Sequence, residues 1–478
     1  MFKKSILSLL LLCFFASFSQ EIVSKISLEL KRNRDVFQVV NDSAKTVTLF
    51  LSDKETVNAF CLNEKMQITD SLFAERPATK TYDFMTDNVV NAKNTTLFWS
   101  SSNHKDICSQ TFDFDTHKTT IQTYSISFKE EKYLQHFSEK GKFYIMSIIK
   151  DSAVLKLYVF NNGSLTEKKL DMSSFKFQKA NLQMANLYEV LEVSFFPFEA
   201  PFSFQKINSE NPTSLTESAK KRKLYIKNNK AILTFDNGIA NTFVITIDLD
   251  DFSTSEKIIQ KPYVYYDLLI DVTSNSFLID DKLYQINSSV NKMAVSIKDL
   301  NNNLIKEYQA TDSQPIAFKN SEIIQENGSV SNKRVLEKSS QFLRKITNSN
   351  MGISCYKINN NYLVTTGAVS EQQQNSSVMV GAMFGVAGVL LAYAISNPTM
   401  ESFNSYANRK VVYIHSMFDK DANHVQGEIQ PLAFDKIRNF FDKYSAVSSQ
   451  TLFKQDNIYY LGYFDKNAEE YSIRKFQD

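Results

Sequence analysis

KLYIKNNKAILTFD, residues 223–236, and CYKINNNYLVTT, residues 355–366, are two copies of one sentence: a strand of alternating apolar residues, an asparagine turn and a second strand. Three more stretches share a second wording, an aliphatic strand, a polar turn and a strand carrying adjacent Glu and Lys. They are LKLYVFNNGSLTEKKL (155–170), FVITIDLDDFSTSEKII (243–259) and MAVSIKDLNNNLIKEYQ (293–309). Hairpins that recur at a period of tens of residues point to a stacked or radial array of β-units. With 11 glycines in 478 residues, the turns fall to Asn and Asp, which tolerate left-handed backbone better than other side chains.

Strand-rich blocks bounded by turn residues run over 46–73, 95–128, 143–172, 223–260, 276–309, 354–419 and 450–476. The array resembles the β-propeller superfold over most of the chain, with seven blades expected, six to eight allowed, and an irregular stretch at 173–223 that could hide or merge a unit. A strand at 26–40 has no hairpin partner nearby. It is expected to pair with the last strand, 471–476, and to close the fold. The resemblance rests on repeat pattern alone: the only tryptophan, Trp99, precedes a serine rather than following the Trp-Asp wording of WD40 repeats, and neither kelch double glycines nor the sialidase box is present. The superfold therefore implies a binding or catalytic face at one end of a central channel, and no particular activity.

Lys3 and Lys4 precede an apolar run, 6–15, and a small-residue stretch ending at Ser17, Phe18 and Ser19. This is the pattern of a signal peptide, 1–19, cut before Gln20. Cys13 lies inside the apolar core, so a lipoprotein reading does not follow. The expected domain is then 20–478, exported, and periplasmic or outer-membrane-associated if the source is Gram-negative. Removing 1–19 takes the formal charge from +2 to 0, so no global field invites nucleic acid. Cys61, Cys108 and Cys355 remain, an odd number without metal spacing, and read as strand-core thiols rather than a disulfide framework.

Charged pairs at 167/168, 256/257 and 306/307 fall on what would be outer strands, where charge discourages edge-to-edge pairing. Helical spacing appears at Val335, Leu336, Phe342, Leu343 and Ile346, and again at Ile437, Phe440, Phe441 and Tyr444, as short connectors.

Residues that could carry chemistry are sparse. In HKDICSQTFDFDTH, alternation puts Asp113, Asp115 and His117 on one strand face, with His104 and Cys108 across a turn, but a solvated acidic edge explains the pattern better than a metal site. His415 and His424 read as surface or satisfied histidines. Asp248, Asp250 and Asp251, and Asp280 and Asp281, could furnish the carboxylate pair of a glycosidase, yet each group sits at a hairpin turn, where Asp caps backbone. No catalytic residue, cofactor or metal is assigned.

Two loops suggest binding. FFPFEAPFSF, 195–204, reads as packing across a sheet face, with a sticky binding surface of Phe195, Phe196, Phe198 and Phe202 as the alternative. Lys220, Lys221, Arg222 and Lys223 read as a solvated edge that could otherwise meet lipid phosphates. The one anomaly is an uncharged run at 378–395, within an insert at 370–409, where Gly381, Gly385, Gly388 and Ala392 would make a small-residue stripe on a helix. The reading that follows is an exported, non-catalytic propeller. It binds a protein partner or envelope component, with self-association or membrane contact through 378–395. The alternatives are a hydrolase or lyase acting on extracellular polysaccharide, and a single-pass membrane protein spanning at 378–395.

Overall fold

Two-residue turns with left-handed backbone punctuate the chain. Asn228 and Asn229 (φ 51° and 60°), Asp280 and Asp281 (46° and 60°), and Asn162 with Gly163 (44° and 80°) each reverse one strand onto the next. These are hairpin turns whose twist suits paired strands, and the Asn- and Asp-rich turn wording is their sequence cause. The computed structural model describes residues 21–26, 35–91, 94–179, 183–195, 198–264, 271–327, 333–370, 397–407, 410–444 and 446–478.

Among them are seven antiparallel-dominated sheets of four or five strands and one two-stranded ribbon. Five sheets keep chain order from edge to edge, spanning 35–75, 84–125, 131–171, 205–260 and 273–311. Such meanders are the blade unit of a β-propeller, so the fold is all-β of that class. The charged outer strands behave as expected: Ser164–Asp171, Thr254–Gln260 and Leu304–Thr311 are each the last strand of their sheet.

The chain divides into two units, Met1–Thr123 with Ser376–Met400 and Gln430–Asp478, and Tyr124–Asn375 with Glu401–Ile429. In the first unit, Ile22–Ile26 pairs antiparallel with Glu470–Phe476, Ile26 opposite Tyr471, and completes the sheet formed by Val447–Gln455 and Ile458–Asp465. The expected pairing of an early strand with the last one is present, with one correction. The closing strand ends at Ile26, while Asp35–Asn41 leads a sheet of its own and pairs with Thr46–Ser52. The core of this unit is aromatic, with Phe37 stacked on Phe50 at 5.0 Å and Phe50 edge-on to Phe112 at 5.2 Å.

In the second unit, 173–223 holds no four-stranded sheet among the described residues. It contributes a ribbon, Phe177–Gln178 with Met184–Ala185, and the helix Leu187–Glu192. It also supplies Gln205–Ile207, which adds a parallel fifth strand beside Arg222–Lys227. Another sheet runs in the order Lys333–Leu336, Ile323–Asn327, Lys410–Phe418, Asn361–Val369, Asn350–Ile358. Val335 and Leu336 thus lie on a strand, not on the helix Ser339–Thr347 that buries Phe342, Leu343 and Ile346.

Asn361–Val369 and Lys410–Phe418 are hydrogen-bonded along their whole lengths, and the Ser370 N–H donates to the Lys410 carbonyl at 3.1 Å. A single membrane crossing at 378–395 would put these two strands on opposite sides of a bilayer. The single-pass alternative is incompatible with their pairing. The apolar run itself, with Gly381, Gly385, Gly388 and Ala392, lies outside the described residues, as do Phe196 and 1–19. No helix among the described residues is long and apolar enough to cross a membrane.

Candidate functional site

Three strands of the second unit, Arg222–Lys227, Thr273–Ile279 and Asn350–Ile358, are tied together at both ends by polar side chains. At their tails, Asp280 accepts from Lys227 at 2.7 Å, from the Tyr362 hydroxyl at 2.8 Å and from Lys357 at 3.1 Å. Burial alone would raise this carboxyl, but the three donors hold it down at about 2. At their heads, Lys223 Nζ donates to Asn275 Oδ1 at 2.6 Å, and Asn275 Nδ2 donates to the Met351 carbonyl at 2.8 Å.

The head cluster is the strongest candidate site. Asp236 sits at its centre, 1% exposed, within 3.3 Å of Lys223 and 3.0 Å of Lys261. It also accepts from the Thr242 hydroxyl at 2.8 Å and the Ser276 hydroxyl at 2.7 Å. Burial opposes its charge, yet the Lys261 and Lys223 ammoniums keep the carboxyl well below its usual range. Lys261 further donates to the Gly238 carbonyl at 2.7 Å and to Ser274 Oγ at 2.9 Å.

The basic run 220–223 is therefore not a solvated edge. Arg222 and Lys223 are fully buried. The run folds against the aromatic loop, so the two separate binding hints of the sequence meet each other. Glu199 takes Arg222 Nε at 2.7 Å and the Lys221 N–H at 2.6 Å. Arg222 Nη1 and Nη2 donate to the Leu191 and Ala200 carbonyls at 2.5 and 2.8 Å. Lys220 donates to the Phe198 carbonyl and lies 3.7 Å over its ring. Phe195 lies 5.8 Å under the Arg222 guanidinium, and Phe202 packs on Tyr188 at 4.8 Å. Phe195, Phe198 and Phe202 are each half-buried, while Phe204 is buried against Phe235.

The other sequence candidates are not brought together. Asp113 caps its own turn, accepting the N–H groups of Asp115 and Thr116 at 2.9 and 3.1 Å. His117 stands 3.7 Å from Asp70, and no cluster of three metal-ligating side chains exists among the described residues. His104 bonds Ser100 at 3.3 Å, and burial lowers it to about 4. Burial raises the Cys108 thiol to about 12. His415 meets Thr365 at 2.9 Å and His424 meets Asn320 at 3.0 Å. Asp248 and Asp251 accept the N–H groups of Asp250 and Ser253 within their hairpin turn.

Sequence reasoning missed Glu199, Asp236 and Lys261. Glu199 had a signal, as the single acid in the loop 195–204. The other two had none, since each reads as ordinary strand-end polarity.

No protein-family model matches the chain, and no curated protein matches it. Solved structures similar to it include a Nup133 β-propeller domain from Vanderwaltozyma polyspora (8% identity, 96% of this chain and 98% of that one, TM-score 0.33). Two others are the WD40 domain of SCAP from fission yeast (10% identity, 96% and 97%, TM-score 0.28) and the uncharacterized protein lmo1340 from Listeria monocytogenes EGD-e (9% identity, 94% and 96%, TM-score 0.29). At these scores the likenesses are descriptive, and the propeller class stands on the chain's own meander sheets.

Proposed function

We propose that the chain is an exported, non-catalytic binding or scaffold module at the cell envelope, with the apolar run 378–395 as the element that meets a protein partner, an envelope component or a second copy. The observation that carries this reading is the pairing of Asn361–Val369 with Lys410–Phe418. It sets both ends of the insert side by side at one end of one sheet. An uncharged, glycine-spaced run launched from such a base is suited to a surface contact in lipid or protein. The fates of the acids agree with a non-catalytic role. Asp113, Asp248, Asp251 and Asp280 are spent on turns and ion pairs rather than facing one another across a cleft. Export follows from the residue pattern of 1–19.

The test is deletion of 376–398, bridged by a short Gly/Ser linker, in the full chain. The expected product is folded, exported and more soluble, with self-association by light scattering or membrane recovery by flotation reduced. Unchanged association would remove 378–395 as the contact element. Sugar release from extracellular polysaccharide by the purified chain would replace the scaffold reading with the hydrolase one.

A further inference from the structure

Among the described residues, the head cluster brings together more basic side chains than carboxylates. Among the described residues, Glu199 and Asp236 are the carboxylates set against Lys220, Lys221, Lys223 and Lys261, and Glu199 is also the ion-pair partner of Arg222. Both acids are committed, Glu199 to Arg222 and Asp236 to Lys223 with Lys261. A buried charge without a counter-charge is costly unless something compensates it.

Lys221 is where compensation can enter. Its backbone is pinned on both sides, the N–H by Glu199 and the carbonyl by the Asp236 N–H at 2.8 Å. Its Nζ turns inward and donates to the Ser274 carbonyl at 2.5 Å, its one acceptor among the described residues. An ammonium carries three donors, so Lys221 retains capacity for a further acceptor. The residue as a whole is half-buried.

We propose that Lys221, backed by Lys223 and Lys261, forms a binding site for a small oxyanion, the phosphate or carboxylate group of a soluble molecule. Such a group would accept the remaining Lys221 donors as charge-assisted hydrogen bonds and offset the surplus of the three ammoniums. A bilayer headgroup does not fit the same place, because Arg222 and Lys223 are fully buried and cannot lie on a lipid surface. Burial and the Lys261 ammonium together bring Lys221 down to about 8 in the unliganded chain. Glu199 and Asp236 act in the opposite sense and Lys223 in the same sense. The site is therefore charged at pH 7 and largely neutral at Lys221 by pH 10.

Thermal unfolding of the full chain in inorganic phosphate or citrate, at constant ionic strength and with chloride as the reference, tests this. Saturable stabilisation is expected at pH 7, at least several-fold weaker in affinity at pH 10. Lys221→Met should weaken it about tenfold or more. Lys420→Met, which alters a side chain 77% exposed, should leave it unchanged. Vesicles of anionic lipid should bind wild type and Lys221→Met alike. The proposal fails if stabilisation does not saturate, if Lys221→Met keeps it, or if anionic vesicles bind through Lys221. Should Lys221→Met not fold, equal phosphate stabilisation of wild type at pH 7 and pH 10 overturns the site.

Discussion

Arg222 shows at the residue scale how a charge can be structural. Its guanidinium is fully buried and satisfied by Glu199, Leu191 and Ala200, so Arg222→Ala leaves Glu199 buried without its partner. Breaking a buried pair from one side costs about 3–5 kcal/mol, and denaturant unfolding should read a loss of that order. Glu217 gives a pH prediction. Burial raises its carboxyl to about 8, with the nearby Glu401 acting in the same sense against bonds from Ser214. A carboxyl raised in the folded state holds its proton there while the unfolded chain loses it, so stability falls as pH rises from its ordinary value of 4.5 to about 8. Glu217→Gln should flatten that limb of the stability–pH curve and stabilise the protein near pH 8. A slope unchanged in the variant would show that another group causes it. These residues were poorly legible in the sequence. Four consecutive basic residues carry no mark of burial, because the acids that draw them in, Glu199 and Asp236, come from a separate loop and from the end of a neighbouring strand.

At the scale of elements, the hairpins were legible and the first strands were not. Inner strands such as Lys142–Ile149 and Val154–Asn161 are buried almost end to end and read as apolar runs between turns. Phe84–Asn91 and Glu131–Glu139, the opening strands of two sheets, carry register shifts at Met85/Asp87 and Tyr133/Gln135 that break the period of two. A bulge sets two residues against one and hides a strand from any pattern of alternation. The close contact of Gly367 explains another feature that alternation does not report. A Cβ there would run into the Val412 carbonyl oxygen and the Leu215 side chain. Gly367→Ala should cost about 1–3 kcal/mol through overpacking, seen as a lowered midpoint in urea, whereas Gly238→Ala, with open space around it, should be near neutral.

For the whole molecule, repetition made the class readable. Each of the seven blocks of sequence falls within a sheet of four or five strands among the described residues, because each repeat must solve the same problem of turning an apolar strand back on itself. The apolar insert was legible as an anomaly, and the pairing at its base was not, since strands separated by 40 residues in sequence leave no local trace of being neighbours. The first and last described segments also lie side by side, with the Lys475 N–H donating to the Glu21 carbonyl at 3.0 Å. Joining 478 to 21 through a short Gly/Ser linker and opening the chain at the exposed turn 300–303 should give a permutant of nearly unchanged stability, within about 1 kcal/mol, since neighbouring termini make such rearrangements tolerable. A permutant that unfolds at much lower urea would contradict the side-by-side termini.

That same pairing sets a clock on the chain's biogenesis. Lys25 and Glu470, which meet across it, are 445 residues apart. At 5–20 residues per second, a ribosome takes roughly 20–90 s to make the intervening chain. Through that interval Ile22–Ile26 has no native partner, and its backbone donors and acceptors are open to any other strand in the cell. A newborn copy meeting a finished one could insert this strand only where Glu470–Phe476 is still free. Domain exchange between copies is thus confined to the moments around synthesis and unfolding, and a settled population should not trade strands.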